Sequence, residues 1–310
     1  SSWYKFGCYA FGMNEPSQKS QGATRRPTPR PHFEKATHVK RSDMALHVWG
    51  DALSGFVTDR VISSTKQLHV LEYELAPGGE FRHSASNQTV FAADVLYFVV
   101  EGELVLANPQ TGEVVSVKEG TGRLFHRGTW NHGFNPGQRN VRVIEYFSPP
   151  PAMGAASEFS KSQPALPENK YDMGKNVKNW PENHQVMQLK TSFWEVSDEK
   201  SILSFRDSAP THLIATLVST QFLQVTKGTI QPGHMDDFAD VEKESVIYML
   251  EGQMWVDVFD PAQGQSSVAI LEAGEAIFLP AGIRERLLVQ SSTRAVYLRG
   301  SAEVPSDWKP

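Results

Sequence analysis

One phrase of the sequence occurs twice and constrains the fold more than any other feature. Residues 94–102 read DVLYFVVEG, and about 150 residues later residues 244–252 read ESVIYMLEG. In both copies an apolar run ends at a Glu-Gly pair, and a second apolar run follows. This pattern is typical of two strands joined by a tight turn. Because the phrase recurs with similar surroundings, the chain is predicted to be a tandem repeat of one β domain.

Composition and charge exclude several classes of protein. The chain has 310 residues, of which 40% are hydrophobic and 21% charged, as is usual for a globular protein. The formal net charge of −5 gives no reason to expect nucleic acid or an acidic membrane as a partner. No apolar run approaches the ~20 residues of a membrane span. Cys8 is the only cysteine and no signal-peptide layout is evident, so we predict a cytoplasmic protein.

Four segments follow from the changes of pattern along the chain. Residues 1–45 combine an aromatic start with a proline-punctuated, Arg-bearing stretch, which predicts an extended arm that packs across barrels or subunits. Residues 46–151 and 201–310 carry short apolar strands at regular spacing with turn residues between them, which predicts two β-barrels. Residues 152–200 are loop-rich and are predicted to be a linker with one or two short helices.

Two motifs in each half resemble those of the cupin superfamily, and specifically its two-barrel members, the bicupins related to quercetin dioxygenase. The second half has Pro232-Gly233, Glu251-Gly252 and then Gly274-x5-Pro280-Ala281-Gly282. The first half has Pro77-Gly78, Glu101-Gly102 and then Gly120-x5-His126-Arg127-Gly128, with a first part about five residues longer. The resemblance implies an all-β chain of two tandem cupin barrels of the jelly-roll kind.

In cupins that keep the full pattern, a His-x-His pair, a Glu and a final His hold one divalent metal inside the barrel. In the second half these places fall on Ala239, Val241, Ser245 and Glu285. In the first half they fall on Ser84 and Ser86, or on Thr89 and Phe91, and then on Val95 and Asn131. A metal needs several donors that converge, so we predict no metal cofactor.

An alternative metal site stays open in the first barrel. His83, Asp94 and His132 each lie one residue out of register with the pattern, and a β-bulge at each position would turn them inward. Such a site would hold one Fe, Mn, Ni or Zn ion.

The polar residues at inward places favour acid–base chemistry, because histidine exchanges protons near neutral pH and burial raises the pKa of a glutamate. We therefore predict a lyase- or isomerase-like enzyme acting on a small organic or aromatic acid. The candidate catalytic residues are His83, Asn131, His132 and Glu285. The candidate pocket residues are Tyr97, His126 and Trp130 in the first barrel, with His234 and Tyr248 in the second.

Two other functions remain open at this point. One is a dioxygenase that depends on Fe, Mn or Ni in the first barrel, as the family resemblance suggests. The other is a bicupin that binds a small molecule without turnover. In each case a homo-oligomer is expected, since bicupins often associate through sheet edges.

Overall fold

The structure, a computed structural model, describes residues 28–85, 87–150, 158–164, 169–173, 191–302 and 304. Cys8, Arg25, Arg26 and Ser86 lie outside these residues. As predicted, the regular structure is nearly all β.

The strands of the first half, in chain order, are β1 (Thr37–Val39), β2 (Ala45–Asp51), β3 (Gly55–Ser64), β4 (His69–Leu75), β5 (Glu80–Phe81), β6 (Asp94–Glu101), β7 (Glu103–Ala107), β8 (Val114–Lys118), β9 (Gly122–Phe125), β10 (His132–Phe134) and β11 (Val141–Ser148). The strands of the second half are β12 (Trp194–Val196), β13 (Ile202–Phe205), β14 (His212–Ser219), β15 (Leu223–Ile230), β16 (Ala239–Asp240), β17 (Ser245–Glu251), β18 (Gln253–Asp260), β19 (Gln265–Glu272), β20 (Ala276–Leu279), β21 (Arg284–Leu288) and β22 (Ala295–Ala302). The helical segments are α1 (Glu158–Ser162) and the 3-10 turns Arg41–Asp43, Lys170–Met173, Asp198–Lys200 and Arg206–Ser208.

Each half folds into a barrel in which a seven-stranded sheet faces a four-stranded sheet. The first barrel pairs the sheet β12-β9-β6-β11-β4-β3-β2 with the sheet β5-β10-β7-β8. The second pairs β1-β20-β17-β22-β15-β14-β13 with β16-β21-β18-β19. The repeated Glu-Gly turns join β6 to β7 and β17 to β18, and Gly102 and Gly252 have φ values of 85° and 77°. Only glycine adopts such values without strain, which explains why the same dipeptide occurs in both repeats.

The two barrels exchange one strand each. The large sheet of each barrel includes a strand from the segment that precedes the other barrel in the chain. Strand β1 precedes the first barrel, yet it pairs antiparallel with β20 of the second, with His38 opposite Ile277. Strand β12 precedes the second barrel, yet it pairs with β9 of the first, with Glu195 opposite Arg123. The end of the predicted arm therefore packs across barrels, as expected. The domain limits at residues 45, 151 and 200 stay predictions, and the end of the linker forms a strand.

The central strands of both large sheets bury both of their faces, because the two barrels pack against each other through them. One face lines the barrel interior, where Val95, Tyr97 and Val99 of β6 belong to the first core. The alternate residues Leu96 and Phe98 belong to a core shared by the two barrels. Strand β17 repeats this arrangement. A period of two thus assigns each side chain either to its own barrel or to the contact between barrels.

The outer edges of the two large sheets expose apolar side chains at equivalent places. They are Leu46 and Val48 on β2 and Ile202, Leu203 and Phe205 on β13. Nothing in a single chain tests the predicted homo-oligomer, which stays a prediction, as does the compartment. None of the described helices has the length and apolar character of a membrane span.

The shared core contains one buried carboxylate, that of Glu72 on β4. Its Oε1 accepts from Arg41 at 2.5 Å and its Oε2 accepts from Arg142 at 2.8 Å. The hydroxyl of Tyr248, which lies on β17 of the other barrel, donates to the same Oε2. Burial alone would raise the pKa of Glu72, but the hydrogen bonds from Arg142 and Tyr248 and the charges of both arginines hold it below its ordinary value. The carboxylate therefore stays charged and joins the two barrels.

Replacing Glu72 by Gln should destabilise the protein by about 1–3 kcal/mol, because two guanidinium groups then lose a buried charged acceptor. Tyr248→Phe should cost about 1 kcal/mol, and the double variant should cost less than the sum of the two. Urea denaturation at pH 7 measures all three. The exposed Glu251→Gln is the control and should change little. Additive losses would contradict a direct contact between Glu72 and Tyr248.

Candidate functional site

Two histidines meet at one end of the first barrel, next to the paired strands β5 and β10. His83 follows β5 and His132 begins β10, and these strands align Phe81 with Gly133. A Cβ at Gly133 would lie 2.2 Å from the Phe81 ring, so only glycine lets this ring cross β10. The Nδ1 atom of His83 lies 2.7 Å from Nε2 of His132, and Nδ1 of His132 lies 2.8 Å from the Tyr171 hydroxyl. The three side chains thus form one hydrogen-bonded row.

The backbone of the site fixes which nitrogen carries each proton. The backbone N–H of His83 donates to Nε2 of His132 at 3.1 Å, so this nitrogen is an acceptor and the proton of the neutral ring is on Nδ1. Burial, followed by the charges of His83 and Arg82, lowers the pKa of His132 to about 3. Burial and Arg82 also lower the pKa of His83. If His83 donates from Nδ1 to His132, its Nε2 holds a lone pair, and no described residue bonds to it.

The surroundings of His83 are aromatic and cationic. The Trp130 ring meets the His83 ring edge-on, with 5.2 Å between centroids. Arg82 lies 5.1 Å from the centre of the Phe134 ring and pairs with Glu80 at 2.9 Å. The Nε of Arg82 is buried without a hydrogen-bond partner among the described residues. The half-buried imidazole of His83 therefore lies beside a guanidinium group whose Nε–H makes no hydrogen bond to the described residues.

A second polar group lies deeper in the same barrel, around Glu145 on β11. Glu145 is buried and interacts with the Tyr97 hydroxyl, which also lies 3.3 Å from Oδ1 of Asn131. Burial and the nearby charge of Asp59 raise the pKa of Glu145 well above its ordinary value, although the Tyr97 hydrogen bond opposes the shift. The surroundings of Glu145 therefore favour its protonated form. It was not predicted from the sequence, although it shares the inward parity of Val143 in an otherwise apolar strand.

The alternative metal set of the first barrel is not assembled, which corrects that expectation. Asp94 accepts from Nδ1 of His126 at 2.8 Å, whereas His83 and His132 contact each other. Among the described residues, one group of three or more His, Cys, Asp or Glu donors converges, and it lies in the second barrel. His126 is also about half exposed beside Trp194, so it lies outside the row of His83 and His132.

At three of the described places of the cupin metal pattern in the first barrel, the side chain has no free donor for a metal. Val95 is fully buried in the apolar core. Asn131 uses its Nδ2 to donate to the Thr89 carbonyl at 3.0 Å and turns its Oδ1 toward Tyr97. Ser84 donates to Asp51 at 2.9 Å. No two of these side chains offer free donor atoms to a common point.

In the second barrel an arginine stands where the pattern expects metal ligands. Arg299 bonds to Ser245 Oγ through Nε at 3.2 Å and to Glu285 Oε1 through NH1 at 2.7 Å. Arg206 also reaches Glu285 Oε1, at 3.2 Å. Val241 is buried in the apolar core, and Ala239 pairs with Glu285 across the strands. The two guanidinium groups neutralise Glu285 and fill the space between its carboxylate and Ser245, so a cation does not fit there.

The convergent group of the second barrel is His212, His234 and Asp236. The Oδ1 atom of Asp236 lies 2.9 Å from Nδ1 of His212 and 2.7 Å from Nε2 of His234. All three side chains are almost wholly buried. His234 was among the polar residues predicted from the sequence, whereas His212 and Asp236 were not. The spacing His234-Met235-Asp236 offered a signal, because residues two apart share one face of an extended chain.

Tyr248 does not line the second barrel, which corrects its predicted place in a pocket there. It lies in the core between the barrels, and its hydroxyl donates to Glu72. Tyr97 does lie inside the first barrel, as the sequence placed it, and Trp130 lies next to His83. Their roles as pocket residues stay predictions.

The fold is similar to that of many solved structures, although the sequence matches no protein-family model and no curated protein. A Pseudomonas aeruginosa protein described as glyoxylate-induced matches with a TM-score of 0.62 and 16% identity, over 90% of this chain and 93% of that chain. The formate complex of Lactobacillus farciminis oxalate decarboxylase matches with a TM-score of 0.57 and 12% identity, over 89% of each chain. Vicilin from hazelnut, Corylus avellana, matches with a TM-score of 0.56 and 14% identity, over 86% and 85%.

These neighbours are bicupins, so this chain has the two-barrel cupin fold, as its motifs indicated. At such low identity the likeness defines the fold alone. One architecture is shared here by a decarboxylase and by vicilin, and a fold common to such different proteins does not specify an activity.

The buried acid of the first barrel predicts a pH dependence of stability. Folded Glu145 retains its proton above the pKa of about 4.3 that it has in the unfolded chain. The unfolded chain binds fewer protons there, so this group lowers the free energy of unfolding by up to about 1.4 kcal/mol per pH unit as the pH rises. Its stabilising effect is fully present below the unfolded pKa and is lost as the pH approaches the folded pKa.

Glu145→Gln should therefore be tolerated at pH 5 and should lose less stability than the unmodified chain between pH 5 and pH 8. Urea denaturation across this range measures the difference. Glu251→Gln, at an exposed glutamate paired with Arg294, is the matched control and should leave the slope unchanged. Equal slopes for Glu145→Gln and the unmodified chain would show that Glu145 is ionised in the folded state.

Proposed function

We propose that this chain is a small-molecule enzyme whose first barrel performs metal-independent acid–base chemistry of the lyase or isomerase kind. The hydrogen-bonded row of His83, His132 and Tyr171 carries this proposal. A base held by a second group that is held by a third is the usual arrangement of an oriented general base. The bicupin fold agrees with an enzyme, since neighbours such as oxalate decarboxylase are enzymes.

His83 is the proton acceptor in this proposal. Its Nε2 takes a proton from a carbon next to a carbonyl, and a proton from His83 then returns to that same carbon, which exchanges its hydrogen or inverts its configuration. The electron pair left by the proton moves onto the carbonyl oxygen and returns when the new C–H bond forms. His132 is a positioning residue that holds His83 by Nδ1. Burial raises the pKa of Tyr171 to about 12, so its hydroxyl keeps its proton and holds His132 in place.

The charges around His83 suggest the class of substrate. Arg82 has a buried Nε without a partner among the described residues, and a guanidinium group suits a carboxylate or an enolate oxygen. The Trp130 ring beside His83 offers an apolar face. A small organic acid, aromatic or not, matches this combination. Asn131, which precedes His132 in the chain, contacts Tyr97, and Tyr97 interacts with the buried Glu145.

The other predicted roles are weaker in this geometry. The carboxylate of Glu285 is shared by two guanidinium groups, so we assign it no proton transfer. A metal-dependent dioxygenase in the first barrel would need His83, Asp94 and His132 to converge, whereas Asp94 pairs with His126. A bicupin that binds without turnover stays as the contrasting hypothesis, and the experiment below separates it from an enzyme.

Exchange of carbon-bound protons with solvent tests the proposal for a whole class of small acids at once. The full chain is incubated in D₂O with a panel of small 2-oxo and 3-oxo acids, aromatic and aliphatic, and loss of the ¹H signal next to the carbonyl is followed by NMR. We expect catalysed exchange for at least one acid. His83→Gln should slow it by a factor of roughly 10²–10⁴, with a smaller change in KM than in kcat.

The matched control is His38→Gln, since His38 is likewise held by one side chain, that of Glu275, but lies on β1 in the sheet of the second barrel. The His38→Gln variant should catalyse proton exchange in the acid at the same rate as the unmodified chain. Circular dichroism melting confirms that each variant is folded. Exchange that survives in His83→Gln would contradict the assigned base. Binding of an acid without exchange would favour a bicupin that binds without turnover. The absence of both binding and exchange would contradict the proposed substrate class.

A further inference from the structure

The second barrel contains a group of three donors that the proposed function does not use. Nδ1 of His212, Nε2 of His234 and a carboxylate oxygen of Asp236 lie within 4.8 Å of one another. His212 begins β14, whereas His234 and Asp236 lie in the turn that follows β15. Two imidazoles and one carboxylate that converge are a common ligand set for divalent transition metals.

The outer nitrogen of each histidine is also held in place. Nε2 of His212 lies 3.0 Å from the Tyr297 hydroxyl, and Nδ1 of His234 lies 2.7 Å from the Thr211 hydroxyl. Metal-binding histidines almost always have such a partner, because it fixes the tautomer and the direction of the ring. A hydroxyl both donates and accepts. The hydroxyl can therefore donate to the outer nitrogen when the inner nitrogen carries the ring proton. It can equally accept from the outer nitrogen, and the inner nitrogen is then free for an ion.

The backbone makes room for this arrangement. Tyr297 lies directly across from Gly228 in the pairing of β22 with β15. A Cβ at Gly228 would lie 2.2 Å from the Tyr297 ring, so only glycine lets the ring lie across β15 with its hydroxyl at His212. The position of the hydroxyl thus depends on a residue outside the cluster, and the site is built by two strands and a turn.

Asp236 is the only carboxylate of the three donors, and an arginine lies beside it. The Oδ2 of Asp236 is buried and makes no hydrogen bond among the described residues, although Arg206 Nε lies 3.4 Å away. Arg206 extends from there to Glu285, at 3.2 Å. The guanidinium group therefore separates the three donors from Ser245 and Glu285, two of the places where the cupin pattern expects a metal. The two locations are distinct.

We propose that His212, His234 and Asp236 bind one divalent first-row transition metal ion, such as Zn²⁺ or Co²⁺, at a site apart from that of the cupin pattern. Three protein ligands leave at least one position of a tetrahedral ion for an exogenous ligand. In the metal-free chain the two histidines donate to Asp236 instead, which keeps the buried carboxylate satisfied. Ion binding replaces these two hydrogen bonds and moves each ring proton to the outer nitrogen, toward Tyr297 or Thr211.

Titration of the chelator-treated full chain with Co²⁺, and then with Zn²⁺ as competitor, tests this site. We expect one equivalent of Co²⁺ with visible absorption bands that Zn²⁺ abolishes. His234→Gln should weaken binding on the order of 100-fold or more. Thr211→Val keeps all three ligands but removes the hydroxyl at His234, and should weaken binding roughly 10–100-fold. Thr211 lies at the surface, so this variant is expected to fold even if a ligand variant does not.

The controls are His38→Gln and His83→Gln, which replace histidines outside the proposed site and should bind Co²⁺ as the unmodified chain does. Loss of binding in His83→Gln would place the ion in the first barrel and overturn the proposal. Unchanged affinity in both His234→Gln and Thr211→Val would also overturn it. So would the absence of any Co²⁺ absorption in the unmodified chain, which would leave the three residues as a hydrogen-bonded group only.

Discussion

The burial of both faces of the central strands in the two large sheets is the constraint on which the structure depends. These strands, such as β6 and β17, must supply side chains of alternate parity to a barrel interior and to the contact between barrels. A one-residue shift of register would exchange these two sets. Glu72 reinforces the arrangement, because its buried carboxylate binds arginines of its own barrel and the Tyr248 hydroxyl of the other. The relative placement of the barrels therefore depends on a polar contact as well as on apolar packing.

The two barrels differ in the residues near the places of the cupin metal pattern. At corresponding places on their last strands the first has Glu145 and the second has Arg299. The pKa of Glu145 is raised by burial and its side chain interacts with Tyr97, whereas Arg299 supplies a fixed positive charge between Ser245 and Glu285. The barrels have thus become chemically unlike while keeping one architecture.

The sequence predicted the fold well because its strongest signals are local. The repeated Glu-Gly turns and the period-two strands depend on neighbouring residues, and strands flank both Glu-Gly turns as predicted. The site was harder, since it depends on residues far apart in the chain. His132 was paired with His83 only by the register of β10 with β5, and Tyr171 joined them from the linker. Parity alone assigned Tyr248 to the wrong side, because both faces of its strand are buried.

The exchange of β1 and β12 makes the halves interdependent. Without residues 37–39 the edge of β20 would lie open, and without residues 194–196 the same would hold for β9. A fragment ending after the first barrel would carry a strand that belongs to its missing neighbour, and would leave its own sheet one strand short. Two fragments produced together would therefore complete each other's sheets. A duplication that traded strands in this way commits both copies to remain in one assembly.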